Sequence, residues 1–376
     1  MRQLISILLL TLSALSLAAN PLPKERRENI RLQIFLDQQH FGPGILDGKL
    51  GTYTTMAMEA YNQKIGRNLK DWDAVKADAL REVPHIFAIA TVPEIARDFV
   101  DSSLPCDKDR VTQATRKRMH YRTVAEFIAE RYHTTEEVLE LINGKKVMKN
   151  LKLRSPLRVP NVAPFQIEEL GQGRTHRKDP NLSKRWVVID TSKHQLRIFE
   201  AREFPKATAA PDTEGIEDTE IKVGEAVTPE IPRAIPVDDA GKAVKKKDET
   251  TLIDPRFDET KAKLIAAFPI TPGKPQFIRR GTWKMTNAIE FPSWRYDKSL
   301  LQTGQRSTQS LSIPPGPNNP VGVLWMGLSR KGIGIHGTDK PDTIGRARSS
   351  GCIRLANWDV VHVPKYVRPG ATVIIK

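Results

Sequence analysis

Cysteine is almost absent from this chain: 376 residues carry two, Cys106 and Cys352. That excludes the multi-bridge framework that holds small secreted folds together and leaves at most one structural disulfide. Neither thiol, nor any imidazole, has partners at metal-ligand spacing, so neither a metal nor another cofactor is expected. Long apolar runs are also scarce. The stretch from Leu4 to Leu17 falls short of the roughly 20 residues a spanning helix needs. No arginine-rich run is interleaved with aromatics, which make up only 6% of the chain, so nucleic acid is not an expected partner. Acidic residues are outnumbered, 44 against 59 lysines and arginines, for a net charge of +15. Such a chain is drawn to polyanions.

What is present begins with a leader. Met1-Arg2-Gln3 is a short basic start, the apolar run follows, and Ser16-Leu17-Ala18 supplies small residues where a signal peptidase reads. Cleavage is expected after Ala18, giving a signal peptide over 1–18, an exported protein and no stable membrane span after cleavage. No cysteine closely follows the run, which excludes lipoprotein processing. The length predicts two or three domains, and hydrophobic and charged contents of 39% and 27% are ordinary for soluble ones.

Ile30, Ile34 and Phe35 recur at helical spacing, the loop from Gly42 to Gly51 is rich in turn residues, and Met56, Ala57, Ala60 and Tyr61 mark a second helix. Residues 71–104 carry further helical patterns punctuated by prolines. Val124, Phe127 and Ile128, then Val138, Leu139 and Ile142, predict two more helices, with His133 a solvated turn residue between them and a short strand at Leu157–Pro160. Residues 163–184 are polar and read as a linker. From Arg185 the pattern changes to short β-rich runs: Trp186–Asp190 and Gln195–Phe199 as a hairpin, later Leu264–Thr271, Gly281–Met285, Val321–Leu328, Gly332–Ile335 and Ala371–Ile375. A Pro-, Ala- and acid-rich insertion over 204–261 interrupts them.

The chemistry concentrates near the C-terminus. His336 and Cys352 stand 16 residues apart, each beside a glycine. A thiol attacks as thiolate, and a neighbouring imidazole can take its proton and return it to a leaving group. Glycine lets backbone N–H groups approach a developing oxyanion. Cys352 is therefore the candidate nucleophile of an acyl-transfer enzyme and His336 its general acid/base. Pairing Cys352 with Cys106 would remove that nucleophile, so both are expected to be unpaired.

Thr271-Pro272-Gly273, Pro315-Gly316-Pro317-Asn318-Asn319-Pro320, Ile335-His336-Gly337-Thr338 and Ser349-Ser350-Gly351-Cys352-Ile353-Arg354-Leu355 occur in this order, followed by Asn357 and Asp359. They resemble the L,D-transpeptidase catalytic domain of YkuD type, over about residues 185–376. Leu32-Gln33, Asp47-Gly48-Lys49-Leu50-Gly51, Thr54, Ala57 and Tyr61 resemble a type-1 peptidoglycan-binding domain over 24–68. Thr123 to Thr134, with Leu139, Leu141-Ile142-Asn143 and Val159-Pro160-Asn161, resembles a degenerate LysM module over 119–162. The resemblances imply a multidomain α+β protein, with small helical and LysM-like modules followed by a mainly β catalytic domain.

They further imply a periplasmic or wall-bound enzyme acting on peptidoglycan, its stem tetrapeptides and glycan strands, and forming 3-3 cross-links through a cysteine thioester. The Gly337 carbonyl would orient the His336 ring, and the N–H groups of Gly351 and Cys352 would form the oxyanion hole. Arg354, Ser350, Ser349 and Thr338 would contact substrate, with Ser350 standing where the family often has histidine. The same pair could instead serve an L,D-carboxypeptidase or other hydrolase, or attach protein to the wall. A wall-binding scaffold is the non-enzymatic alternative.

Overall fold

The computed structural model describes residues 22–105, 109–201, 257–274, 277–299, 307–346 and 351–376. The leader, Cys106, most of the 204–261 insertion, Ser349 and Ser350 lie outside these residues.

Helix α1 (Lys24–Gln38) buries Ile30, Leu32, Gln33, Ile34, Phe35 and Leu36, a stripe broad enough to be covered from more than one side. Helix α2 (Thr52–Ile65) ends at Gly66 in the left-handed region, and α3 (Trp72–Glu82) starts at Asp71, whose side chain accepts from Ala74 N. Between α1 and α2, Gln33 and Asp47 set the loop. Gly48 N donates to Gln33 Oε1 (2.8 Å), and Lys49 N donates to Asp47 Oδ1 (2.8 Å).

The chain then forms β1 (Phe87–Thr91), helices α4 (Arg110–Ala114), α5 (Val124–Arg131), α6 (Glu136–Asn143) and α7 (Lys145–Lys149), and β2 (Pro156–Pro160). Thr123 and Thr135 cap α5 and α6 through their hydroxyls. Strands β1 and β2 pair antiparallel with Phe87 opposite Pro160. Phe87–Thr91 thus departs from the helical pattern expected over 71–104, and the strand facing Leu157 lies upstream of the 119–162 range. His133 departs too. It is buried, stacks on Trp358 at 5.5 Å and lies 3.0 Å from Asp37 through Nδ1, so it is no solvated turn residue. Residues 163–184 are not free chain. Gly171 N and Arg174 Nε donate to the buried Glu290 carboxylate (2.7 and 2.8 Å), while Phe165 and Ile167 enter the core.

Two sheets follow. One has the order β5-β4-β3-β13-β6, from β3 (Trp186–Asp190), β4 (Gln195–Ala201), β5 (Ala262–Pro269), β6 (Gly281–Lys284) and β13 (Thr372–Ile375). The other has the order β12-β11-β10-β7, from β7 (Ile289–Glu290), β10 (Leu324–Gly327), β11 (Gly334–His336) and β12 (Ile353–Arg354). A small ribbon, β8 (Trp294–Tyr296) with β9 (Leu311–Ile313), stands apart, and short helices α8 (Asn357–Val360) and α9 (Val363–Tyr366) pass between β12 and β13.

The cores are continuous across these pieces. Phe127, Leu139 and Leu157 share one apolar cluster with Val187, Leu196, Ile335 and Trp358, while Phe35 and Phe41 of the first unit share another with Trp186, Leu264 and Ala267. The helical units therefore pack against the β domain instead of trailing from it. Among the described residues no helix is long and apolar enough to cross a membrane.

Candidate active site

The site is built on the one parallel strand pair of its sheet, β11 with β12. Ile335 lies level with Ile353 and His336 with Arg354. Because side chains alternate, Ile335 and Ile353 enter the core while His336, Arg354 and, one step earlier, Cys352 share the opposite face. Ideal strand spacings put the Cα atoms of His336 and Cys352 about 8 Å apart on that diagonal, a separation that two inward-leaning side chains can close.

His336 is 4% exposed and its ring stacks on Trp325 of β10 with centroids 5.4 Å apart. Its Nδ1 lies 2.6 Å from the Gly337 carbonyl oxygen. A carbonyl only accepts, so Nδ1 carries the proton, and in the neutral ring Nε2 is left with its lone pair available as a base. Burial lowers the His336 pKa to about 4; the Gly337 carbonyl opposes this and Arg354 adds to it. Cys352 is half-buried and its Sγ lies 3.8 Å from the Gly332 carbonyl. Burial pushes its thiol up to about 11, against a hydrogen bond with the Gly334 backbone. The resting pair is thus thiol and neutral imidazole, not thiolate and imidazolium. Alkylation of Cys352 by iodoacetamide, followed by peptide mass mapping, is expected to accelerate about tenfold per pH unit from pH 7 to 10 without levelling off. A plateau between pH 6 and 8 would instead show an ion pair.

Glycines shape the surrounding backbone. Gly351 has φ +116, a conformation glycine adopts without strain, and a Cβ on Gly273 would sit 2.4 Å from the Gly351 Cα. The Thr271-Pro272-Gly273 block therefore lies directly against the residue before the thiol. Thr271 and Arg354 exchange both backbone hydrogen bonds (2.9 and 3.0 Å), fixing β12 from its other side. Arg354 is half-buried, and burial lowers its pKa. Thr338 is fully buried and its hydroxyl accepts from Lys340 N (3.2 Å), so it shapes its own loop.

The structure thus brings His336, Gly337, Thr338, Gly351, Cys352 and Arg354 together. Ser349 and Ser350 fall outside the described residues. One group beside the site escaped the sequence reading, and a second was named there without a role. Trp325 covers His336 from β10, which the pairing of β10 with β11 could have suggested. Asn357 accepts from Val323 N (3.2 Å) and abuts Gly337; its place after the Cys-x-Arg string was the only local signal.

A small β domain presents a thiol and an imidazole on a shared sheet face, the two groups that a cysteine–histidine acyl-transfer site would need. Residues 247–375 match the family model YkuD, described as an L,D-transpeptidase catalytic domain. A protein named as the L,D-transpeptidase YkuD of Bacillus licheniformis is 41% identical over 78 residues, covering 21% of this chain and 47% of its own length. One named as the L,D-transpeptidase YqjB of Bacillus subtilis is 30% identical over 119 residues, 30% of this chain and 60% of its own. The chain spans about half the length of the first curated relatives it matches. Among solved structures, L,D-transpeptidase 3 from Mycobacterium tuberculosis aligns with 60% of this chain and 76% of its own, at 12% identity and a TM-score of 0.28.

Proposed function

We propose that the protein is a peptidoglycan L,D-transpeptidase that forms 3-3 cross-links between stem peptides. The observation carrying this reading is the shared face of β11 and β12, where a base with its tautomer set by Gly337 faces the same side as the thiol of Cys352. In the first half-reaction Cys352 Sγ attacks the diaminopimelate carbonyl of a donor tetrapeptide as His336 Nε2 takes the thiol proton. The tetrahedral oxyanion lies against the N–H groups of Gly351 and Cys352. Its collapse breaks the amide bond, His336 protonates the departing D-alanine amine, and a thioester remains. In the second half an acceptor amine attacks the thioester and gives a proton to His336, which returns it to the Cys352 sulfur as the C–S bond breaks.

Arg354 supplies a cation for a stem carboxylate, and Ser349, Ser350 and Thr338 border the same chemistry. The unit at 24–68 acts as a wall-binding module, and the net charge of +15 suits an exported protein at the anionic wall. Incubation of the purified protein with disaccharide tetrapeptide is expected to yield a dimer lacking one D-alanine, read by mass spectrometry. Tripeptide without dimer would show water as the second nucleophile and overturn transpeptidation in favour of hydrolysis.

A further inference from the structure

Glu130 lies on α5, outside residues 247–375, yet its carboxylate is buried against the catalytic domain with 6% exposure. The Tyr121 hydroxyl donates to its Oε2, and Asn357 Nδ2 donates to its Oε1 at 3.0 Å. A carboxyl in a core needs such partners, and packing alone would be served by an apolar residue. The partner on the catalytic side is a hub. Asn357 is fully buried, and its other amide atom, Oδ1, accepts from Val323 N at 3.2 Å. That oxygen also lies against two glycines: a Cβ on Gly322 or on Gly337 would sit 2.2 Å from it. Gly337 is in turn the residue whose carbonyl accepts the hydrogen bond from His336 Nδ1–H at 2.6 Å.

An asparagine amide can face either way, and its partners decide which. Glu130 Oε1 at 3.0 Å and, more weakly, the Pro317 carbonyl at 3.4 Å both accept from Nδ2, so the NH₂ group faces them and the oxygen faces Val323 and Gly337. Burial raises the Glu130 pKa to about 8. The orientation survives protonation, because the acid proton can sit on Oε2 towards the Tyr121 oxygen and leave Oε1 an acceptor.

We infer that Glu130 is a positioning residue for the reaction: it fixes the amide of Asn357, which packs Gly337 so that its carbonyl holds the ring of His336. The catalytic geometry is completed by a helix of the preceding unit. This rests on the reading of His336 as the acid/base.

The test compares full-length variants on disaccharide tetrapeptide, with folding checked by circular dichroism. Methionine fills the volume of glutamate without a strong acceptor, whereas glutamine keeps one. Glu130→Met is expected to lower kcat tenfold or more with KM within twofold of the parent, and Glu130→Gln to stay within threefold on both. Because Glu130 works through Asn357, adding Glu130→Met to Asn357→Ala should cost less than a further twofold. Should Glu130→Met alone not fold, Glu130→Met with Tyr121→Phe, which removes one of the two stranded donors, carries the same comparison. A Glu130→Met kcat within twofold of the parent, a loss confined to KM, or full multiplication of the two effects in the double variant overturns the inference. A His336→Ala enzyme with parental turnover would instead sink the reading beneath it, whatever the Glu130 variants do.

Discussion

Replacing His336 with alanine is expected to slow turnover of disaccharide tetrapeptide by about 10³- to 10⁴-fold, the upper range for loss of a general acid–base group. The size follows from the resting protonation states. With its thiol at about 11, Cys352 is only about 1 part in 10⁴ thiolate at pH 7, so attack must be coupled to proton removal by a base. With its pKa at about 4, His336 is neutral and able to take that proton across the neutral range, and protonates only as pH falls towards 4. In the parent enzyme, activity should therefore hold down to about pH 5. In His336→Ala the residual rate should climb about tenfold per pH unit, because only free thiolate remains to react. Cys352→Ala should leave no thioester at all. Paired groups act as a unit, so the double variant should be no slower than Cys352→Ala alone. Residual turnover in His336→Ala above a tenth of the parental rate would break the pairing.

Gly337→Ala is the second large effect expected, about 100-fold in kcat. The added Cβ would sit 2.2 Å from Asn357 Oδ1 and 3.2 Å from the Gly322 Cα. Asn357 cannot swing aside, since its oxygen is held by Val323 N and its nitrogen by Glu130. The backbone at Gly337 must move instead, carrying the carbonyl away from His336 Nδ1, and misplacement of about 1 Å at a catalytic group costs on the order of 10²-fold. Overpacking a buried site should also remove about 1–3 kcal/mol of stability. Steady-state kinetics and urea unfolding measure the two effects separately; a kcat within threefold of the parent would show that the ring does not depend on this carbonyl.

The thiol and imidazole were legible in the sequence because their chemistry is narrow: two cysteines in the whole chain, one flanked by Ser-Gly and Ile-Arg, and a His-Gly upstream. The hairpin of β3 and β4 was legible for a different reason, since alternation and a polar turn are local. What escaped depends on distant partners. Phe87–Thr91 is short and alanine-containing, ambiguous in period, and becomes a strand only because Pro156–Pro160 lies beside it. His133 looked like a turn residue and is one, with φ 55, yet Trp358 buries it from a far part of the chain. Residues 163–184 are polar, which reads as a linker, but here glycine and arginine serve a buried carboxylate at Glu290. Glu130 and Asn357 stand 227 positions apart, and nothing local in either segment points to the other.

A thiol held in its protonated form is also a thiol held back from oxidants. Peroxides and disulfides react with the thiolate, so a population of about 1 in 10⁴ at pH 7 slows sulfenic acid and mixed disulfide formation relative to an ionised cysteine. On the proposed reading of an exported enzyme, the cytosolic glutathione pool is not at hand to restore an oxidised sulfur. Burial of Cys352 beside a neutral His336 gives it durability instead: the sulfur becomes reactive when a carbonyl is in place to receive it.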